Sequence, residues 1–571
     1  MADQPNPTSL TKYLEAMSFV KVFRTFRIAI APGKLGLALL GLLLMGFCGW
    51  FLDRIWPTRC QPIGDEISVY WKVGDLQVWR NEQAANRLQR LTAIYQDLGL
   101  KTDDLQEDLA SDSGEVISEA VVKLGKVYQE RQERYAEELK DARGDAKKRD
   151  EVKQDFAADA RAINATCLEL KRLKNRGVFE SFVTYELDLV HQLLNAACRF
   201  NFLGEFDEVI DGGRAIERAD MAGMFRSVLR DVQKDVRTTG VIPSLILMAR
   251  GKLWMATHYP LFFVLFMLCC LIIWSILGGA ICRMAALHFA RDERIAPKAA
   301  IDFAGRKFLA FLAAPLLPMV MIFGVGICLL LGGLFGAIPY IGELIAGIAM
   351  VLAMLGGFVI ALIFIGAAAG GSLFWPTIAV EGSDAFDAIS RSYSYVYSKP
   401  WRAGFYAMVA TIYGAICFLF ARFFVLVMLK ATRFFVGIGM GAASDRPGTG
   451  LTDASKLDAM WPSPTFENLM PTVTAFGLKG WEAAGAVFIN VWMILTVGLL
   501  FAFLVSFYYS GSTVIYFLLR SKVDATDLED VFEEEKDGDE AVEEMPEPDT
   551  GVSAGTPTKP VEPDDAGGKA E

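Results

Sequence analysis

The sequence predicts an all-α, polytopic membrane protein with about six transmembrane helices, a large helical extracytoplasmic insertion between helices 1 and 2, and a disordered acidic C-terminal tail. Three observations predict this fold class. The chain contains six apolar stretches that are long enough to cross a bilayer. About 200 largely polar residues separate the first stretch from the second. The segment 521–571 is strongly acidic, with 18 acidic and four basic side chains.

The apolar stretches have the length that a bilayer requires. A spanning helix needs about 20 apolar residues to cross roughly 30 Å of hydrocarbon, because lipid offers no hydrogen-bond partner to the backbone. The six stretches are 35–52, 259–282, 308–335, 341–369, 403–429 and 483–509. No small-residue cleavage site follows the first of them, so we expect an uncleaved signal anchor.

The distribution of Lys and Arg predicts which side of the membrane each loop faces. Five basic residues lie in 1–34, six in 283–307 and three in 375–402, whereas 336–342 has none. Cytoplasmic loops carry an excess of positive charge, so both termini are expected in the cytoplasm and the insertion outside. Five basic residues in 430–479 weaken this prediction without reversing it. The expected location is the cell (inner or cytoplasmic) membrane.

This segmentation predicts four regions. They are the cytoplasmic N-terminus with transmembrane helix 1 (1–55), a helical extracytoplasmic domain (56–256), a five-helix membrane domain (257–520) and a disordered acidic cytoplasmic tail (521–571).

Two segments of the insertion, 121–140 and 155–173, have apolar residues at helical spacing, and a polar turn separates them. They predict an antiparallel helical hairpin that packs as a short coiled coil.

The acidic tail is rich in Glu, Asp, Pro and Gly and has few aromatic residues. Such a composition cannot bury enough apolar surface to fold, so the tail is predicted to be disordered. The tail serves either to solubilise the protein or to dock a basic cytoplasmic partner. In the docking role, residues 528–532 are expected to form a short helix. Nothing in the charge balance points to nucleic acid as a partner.

No catalytic, metal or cofactor motif is evident in the sequence, which predicts a protein that is not an enzyme and holds no cofactor. The histidines His191, His258 and His288 are scattered, without a second ligand at metal-binding spacing. Each is therefore interpreted as structural. The spans show no evident buried carboxylate or histidine, which argues against an ion-coupled transporter.

The cysteines divide between the membrane and the insertion. Six lie in or beside the apolar stretches, where a thiol behaves as a small apolar group. The other three are Cys60, Cys167 and Cys198. If the insertion faces an oxidising compartment, one pair of these can form a disulfide, and the sequence does not choose the pair.

Glycines in the apolar stretches indicate close helix packing. Gly332 and Gly336 stand at GxxxG spacing, and so do Gly366 and Gly370. Small residues at this spacing let two helix backbones approach closely.

A distinctive stretch follows the fourth span and forms a candidate interfacial motif of Glu381, Asp384, Arg391 and Ser392. Asp384 is expected to cap a helix over 385–397 that lies along the membrane surface. Glu381 is expected close to Arg391, where the two form a local ion pair or a helix cap. A regulatory or lipid-headgroup contact is the alternative role.

The same stretch resembles a family: bacterial membrane proteins related to the glycerophosphodiester phosphodiesterase membrane domain. The matching residues are Pro376, Ile378, Glu381, Ala388, Arg391 and Ser392. The resemblance covers about 286–520 and implies a six-helix or similar bundle without an assigned chemistry. Some family members carry a separate phosphodiesterase domain, and its His- and acid-rich metal site has no match in this chain.

Two functions are consistent with these features. The first is a non-enzymatic membrane scaffold or accessory subunit that meets membrane lipids, and meets partner proteins through its outer helices or acidic tail. The second is a permease or lipid-handling protein. A polar cavity between spans three, four and six would favour the permease, and a bundle closed by small residues would favour the scaffold. No oligomeric state is predicted.

Overall fold

The chain is almost entirely helical in a computed structural model. The structure describes residues 18–57, 61–62, 66–70, 76–102, 105, 113–142, 144–173, 176–202, 205–206, 237–442, 457, 460–466, 468–471 and 480–533. The first compact unit ends at Val531, and a second unit begins at Phe532. From residue 534 onward, the tail that was predicted to be disordered lies outside the described residues.

Helices account for nearly all of the described elements. In chain order they are α1 (Arg24–Ala29), α2 (Pro32–Ile55), α3 (Glu66–Val69), α4 (Leu76–Asp97), α5 (Ser113–Asp141), α6 (Ala146–Leu173), α7 (Val178–Cys198), α8 (Val241–His258), α9 (Pro260–Arg291), α10 (Pro297–Arg306), α11 (Phe308–Gly336), α12 (Ile341–Gly370), α13 (Phe374–Glu381), α14 (Ala385–Ser398), α15 (Pro400–Ala442) and α16 (Trp481–Val523). Short 3₁₀ turns cover Ser18–Phe23 and Gly371–Leu373. The short strands β1 (Glu205–Phe206) and β2 (Arg237–Thr239) pair antiparallel.

Six helices in the described part of the chain are long and apolar enough to cross a membrane. We number them span one (α2), span two (α9), span three (α11), span four (α12 with α13), span five (α15) and span six (α16). Each predicted apolar stretch falls on one of these helices, which confirms the prediction of an all-α, multi-pass membrane protein with six spans.

Several spans meet at one end, which we call the basal face: residues 18–34, 283–307, 371–402 and 516–531. Arg27 before span one pairs with Asp292 after span two at 2.5 Å. Beside this face, the buried hydroxyl of Ser506 in span six donates to the backbone oxygen of Ala29 at 2.8 Å. Residues from both ends of the chain therefore pack on the same side of the helix bundle.

Span two continues further than the sequence indicated. The apolar stretch was predicted to end at Cys282, with Arg283 in the following loop, but the helix runs to Arg291. Arg283 is 7% exposed, and its Nη1 donates to the backbone oxygen of Ala379 at 2.9 Å. Its guanidinium also lies 4.5 Å from the centre of the Phe303 ring. By sequence Arg283 was counted as a charge of the loop. Its contacts with the Phe303 ring and the Ala379 carbonyl oxygen keep it inside the bundle instead.

Spans three and four form a hairpin that joins the rest of the bundle near the basal face. Phe311 of span three is fully buried there, and Ile363 of span four is 7% exposed. Further along, the side chains of both helices are mostly exposed, and Val351 reaches 77% exposure. Such apolar surface suits the hydrocarbon of a membrane.

The insertion contains a separate three-helix unit, which we call the arm: α4, α5 and α6. Its apolar core draws on described residues between Leu88 and Leu173. The predicted hairpin helices are both present and pack against each other, with the Tyr135 and Phe156 rings stacked at 4.5 Å between centroids. Coiled-coil packing of this pair stays a prediction.

The remaining helices of the insertion, α7 and α8, pack against each other and join the spans at the end opposite the basal face. The Asp53 carboxylate at the end of span one accepts from the backbone N–H groups of Phe179 and Glu180 at 2.9 and 3.1 Å. A carboxylate at a helix N-terminus satisfies free N–H groups and the positive end of the helix dipole. This contact connects span one directly to α7.

The cysteines of the insertion that the structure describes are free thiols. Cys167 is buried in the arm, and Cys198 is partly buried at the end of α7. Cys60 lies outside the described residues.

Candidate functional site

The site begins with Glu381, the last residue of α13, whose side chain is 8% exposed. Its Oε2 lies 2.8 Å from Nη1 of Arg391, and its Oε1 lies 3.2 Å from Nε of Arg520. The Tyr516 hydroxyl also donates to Glu381. One buried carboxylate thus joins span four, α14 and span six at the basal face.

Helix α14 begins where the sequence predicts it. The Asp384 side chain accepts from the backbone N–H of Asp387 at 2.8 Å, which satisfies a free donor of the first turn. Arg391 lies one turn further on and contacts Asp387 at 2.9 Å as well as Glu381. Burial lowers the pKa of Arg391, but the hydrogen bond with Asp387 and the charges of both carboxylates outweigh it and raise that pKa. Arg391 therefore remains cationic.

Ser392 has a packing position rather than a surface position. Its side chain is fully buried, and its Oγ donates to the backbone oxygen of Ala388 at 2.7 Å. Its Oγ also lies 3.1 Å from the hydroxyl of Thr377 on α13. Ser392 connects α14 to α13, and burial keeps it away from any lipid headgroup.

The chain after span six returns to the basal face. Arg520, besides meeting Glu381, lies 2.6 Å from the Asp530 carboxylate. Val531 is 4% exposed and packs in a core with Tyr395 and Tyr516. Residues 528–529 form a turn, so the short helix expected over 528–532 is not present.

The four glycines of the predicted packing pairs differ in their surroundings. A Cβ added at Gly366 would come within 2.8 Å of the Tyr393 ring, and one at Gly336 within 2.9 Å of the Ala346 methyl. At Gly370 the nearest atoms would lie at 3.5 to 3.6 Å, an ordinary contact distance. At Gly332 nothing would lie within 4 Å. Gly336 and Gly366 therefore allow close packing, whereas Gly332 lines an open groove of about 510 Å³ between spans three and four.

A second group of ionisable side chains lies where α1, span one and span two meet. Lys34 is 1% exposed, and its Nζ donates to the backbone oxygen of Ile28 at 3.0 Å. The same Nζ lies 3.1 Å from Nδ1 of His288, which is 4% exposed. Nε2 of His288 in turn lies 3.3 Å from Oδ1 of Asp292.

The sequence pattern does not predict this group. By sequence alone Lys34 is a flanking charge of span one, and His288 is interpreted as structural. One signal was available, because Lys34 stands inside the helix that begins at Pro32, and an ionisable side chain in a span is costly unless it has a partner. No local pattern indicates that His288, 254 positions away, supplies that partner.

The group borders a cavity of about 850 Å³ at the basal face. Its lining includes Arg24, Arg27 and Arg291 together with the acidic residues Asp292 and Glu529. In the described residues, no cluster of three or more His, Cys, Asp or Glu side chains has the arrangement that holds a metal ion.

Comparisons of the chain with protein-family models, with curated proteins and with solved structures gave no match. The resemblance to the membrane domain of the glycerophosphodiester phosphodiesterases therefore stays a prediction.

Proposed function

We propose that the protein is a non-enzymatic membrane scaffold or accessory subunit of the cell membrane, and that its arm meets a partner protein outside the cell membrane. The observation that carries this proposal is the arm itself. The three helices of the arm enclose an apolar core of their own. The surface of the arm is thus available for contact with another protein.

The membrane part supports the same proposal. The groove between spans three and four is lined by apolar and small side chains, among them Gly332, Gly333 and Gly356. A permease for a polar solute needs polar groups along its path, because each unpaired polar group in hydrocarbon costs several kcal/mol. The charged groups that we describe at the basal face instead connect helices to each other.

The proposed topology puts both termini and the basal face in the cytoplasm and the arm on the opposite side. The positive-inside bias supports it. In this topology the acidic tail lies in the cytoplasm.

Site-specific photocrosslinking in intact cells tests the scaffold proposal. A photoreactive residue at Val122, an arm position 59% exposed, is expected to give one adduct of reproducible mass. The matched control is Val351, 77% exposed on span four, where the expected products are lipid adducts. If Val122 and other exposed arm positions give no discrete protein adduct, the arm is not a partner-binding element.

One observation favours the alternative, a lipid-handling membrane protein. The open groove beside Gly332 has a volume that suits an acyl chain. Discrete lipid transfer between vesicles by the purified protein, lost when Gly332→Leu fills the groove, would favour this alternative over the scaffold.

A further inference from the structure

The basal cavity has a mixed lining. Its volume is about 850 Å³, and three arginines face two carboxylates across it. The apolar side chains Phe23 and Phe289 line the same space, and Phe23 is 45% exposed. The cavity lies beside the start of span one and the end of span two, where headgroups meet water in a membrane.

The back of the cavity holds the buried side chains of Lys34 and His288. In its ammonium form Lys34 has only donors, and its Nζ then donates to Nδ1 of His288, which accepts. The neutral ring then carries its proton on Nε2. That atom lies 3.3 Å from Asp292 Oδ1 but off the direction of a hydrogen bond, and it has no hydrogen-bond partner among the described residues. The cavity wall then holds a buried N–H donor that no group of the described residues satisfies.

The arginines add positive charge at the mouth. Arg24 makes no ion pair with the other described residues. Arg27 pairs with Asp292, but both side chains are more than half exposed, and such a pair contributes about 1 kcal/mol or less. This pair can therefore exchange partners at little cost. The three arginines of the lining outnumber its two carboxylates, so the positive charge exceeds the negative.

We propose that the basal cavity binds a phosphate-bearing anion through Arg24, Arg27 and Nε2–H of His288. Guanidinium groups suit phosphate because their parallel N–H donors match two phosphate oxygens. The apolar lining beside them fits the headgroup region of an anionic phospholipid, and a free phosphate offers the same oxygens. This site is independent of the arm and so of the proposed partner contact.

Binding measurements on the full-length protein in detergent micelles test the proposal. The probes are phosphatidylglycerol, phosphatidylcholine and inorganic phosphate, and the readout is the dissociation constant. The variants are Arg24→Gln, which removes a charge that makes no ion pair with the other described residues, and Arg402→Gln, which removes an exposed charge from the same face outside the cavity. Arg24→Lys keeps the charge.

Arg24→Gln is expected to weaken binding of the anionic probe about tenfold, since a hydrogen bond to a charged group is lost. Arg402→Gln is expected to change it less than about twofold. Arg24→Lys is expected to recover part of the loss. If Arg24→Gln weakens binding of phosphatidylglycerol only, the ligand is a lipid headgroup. If Arg24→Gln weakens binding of inorganic phosphate only, the ligand is a soluble anion.

The proposal is overturned if Arg24→Gln and Arg402→Gln bind both anionic probes equally well. It is also overturned if phosphatidylcholine binds the wild-type protein as tightly as phosphatidylglycerol and inorganic phosphate does not bind. Because Arg24 makes no ion pair with the described residues, Arg24→Gln is expected to unfold at the wild-type temperature, which separates a binding defect from a folding defect.

Discussion

Glu381 shows how one side chain can hold three helices together. Its carboxylate is nearly buried, and it meets Arg391 of α14 and Arg520 of span six while accepting from Tyr516. A buried charge is tolerated only when its partners replace the hydration it loses. Removing this carboxylate leaves two guanidinium groups beside each other without a shared counter-ion.

Glu381→Gln is therefore expected to lower the free energy of unfolding by about 2 kcal/mol. This lies below the roughly 3–5 kcal/mol of a fully buried pair, because Arg391 is 44% exposed and water screens part of the interaction. Unfolding of the purified protein in detergent micelles measures the change. The matched control is Asp387→Asn, an exposed partner of Arg391, with an expected loss below about 0.5 kcal/mol. Equal losses in the two variants would contradict a central role for Glu381.

At the scale of helices, span four shows that glycines in one span are not equivalent. Gly366 lies against the ring of Tyr393, whose hydroxyl donates to the backbone oxygen of Ile363 at 2.9 Å. That hydrogen bond holds the ring in place. A larger residue at Gly366 must displace the ring and break the bond. Gly357, nine residues nearer the start of the same helix, faces open space.

Gly366→Ala is expected to destabilise the protein by about 1–3 kcal/mol, the usual cost of overpacking. Gly357→Ala is expected to leave stability unchanged or to raise it by up to about 1 kcal/mol, because alanine is the better helix former. Denaturant titration of both variants in the same detergent measures the difference. A loss in Gly357→Ala that matches the loss in Gly366→Ala would show that helix propensity, not the Tyr393 contact, decides the outcome.

At the scale of the whole molecule, the proposed topology separates two kinds of contact. With six spans, residues before span one and after span six lie on the same side, and the arm lies on the other. The basal cavity then faces the cytoplasm and the arm faces outward. The orientation thus decides which compartment supplies the proposed partner of the arm and which supplies the proposed anion of the basal cavity.

Thiol labelling of intact cells with a membrane-impermeant reagent measures this orientation. Single cysteines are introduced as Gly144→Cys, at the exposed turn of the arm, and as Gly551→Cys, in the tail, after removal of the native reactive thiols. We expect labelling at 144 alone, because positive loops remain inside. Labelling at 551 alone would show that the topology is the reverse of the proposed one, with the arm in the cytoplasm.

The sequence by itself determined the features that depend on neighbouring residues. Bilayer thickness sets the length of an apolar helix, so the six spans could be predicted from composition alone. The cap at Asp384 acts within one helical turn, and it too was predictable. The resemblance and the functional role stay predictions, because no contact among the described residues identifies a partner and the comparisons gave no match.

Only the tertiary structure decided which distant side chains meet. Lys34 contacts His288, and Glu381 contacts Arg520, although each pair is far apart in the chain. Side-chain periodicity shows which face of a helix is apolar, but it does not show which helix covers that face or at what height. Ionic contacts depend on which helix covers the face and at what height. The basal cavity and the charged groups around it therefore form only when the spans pack together.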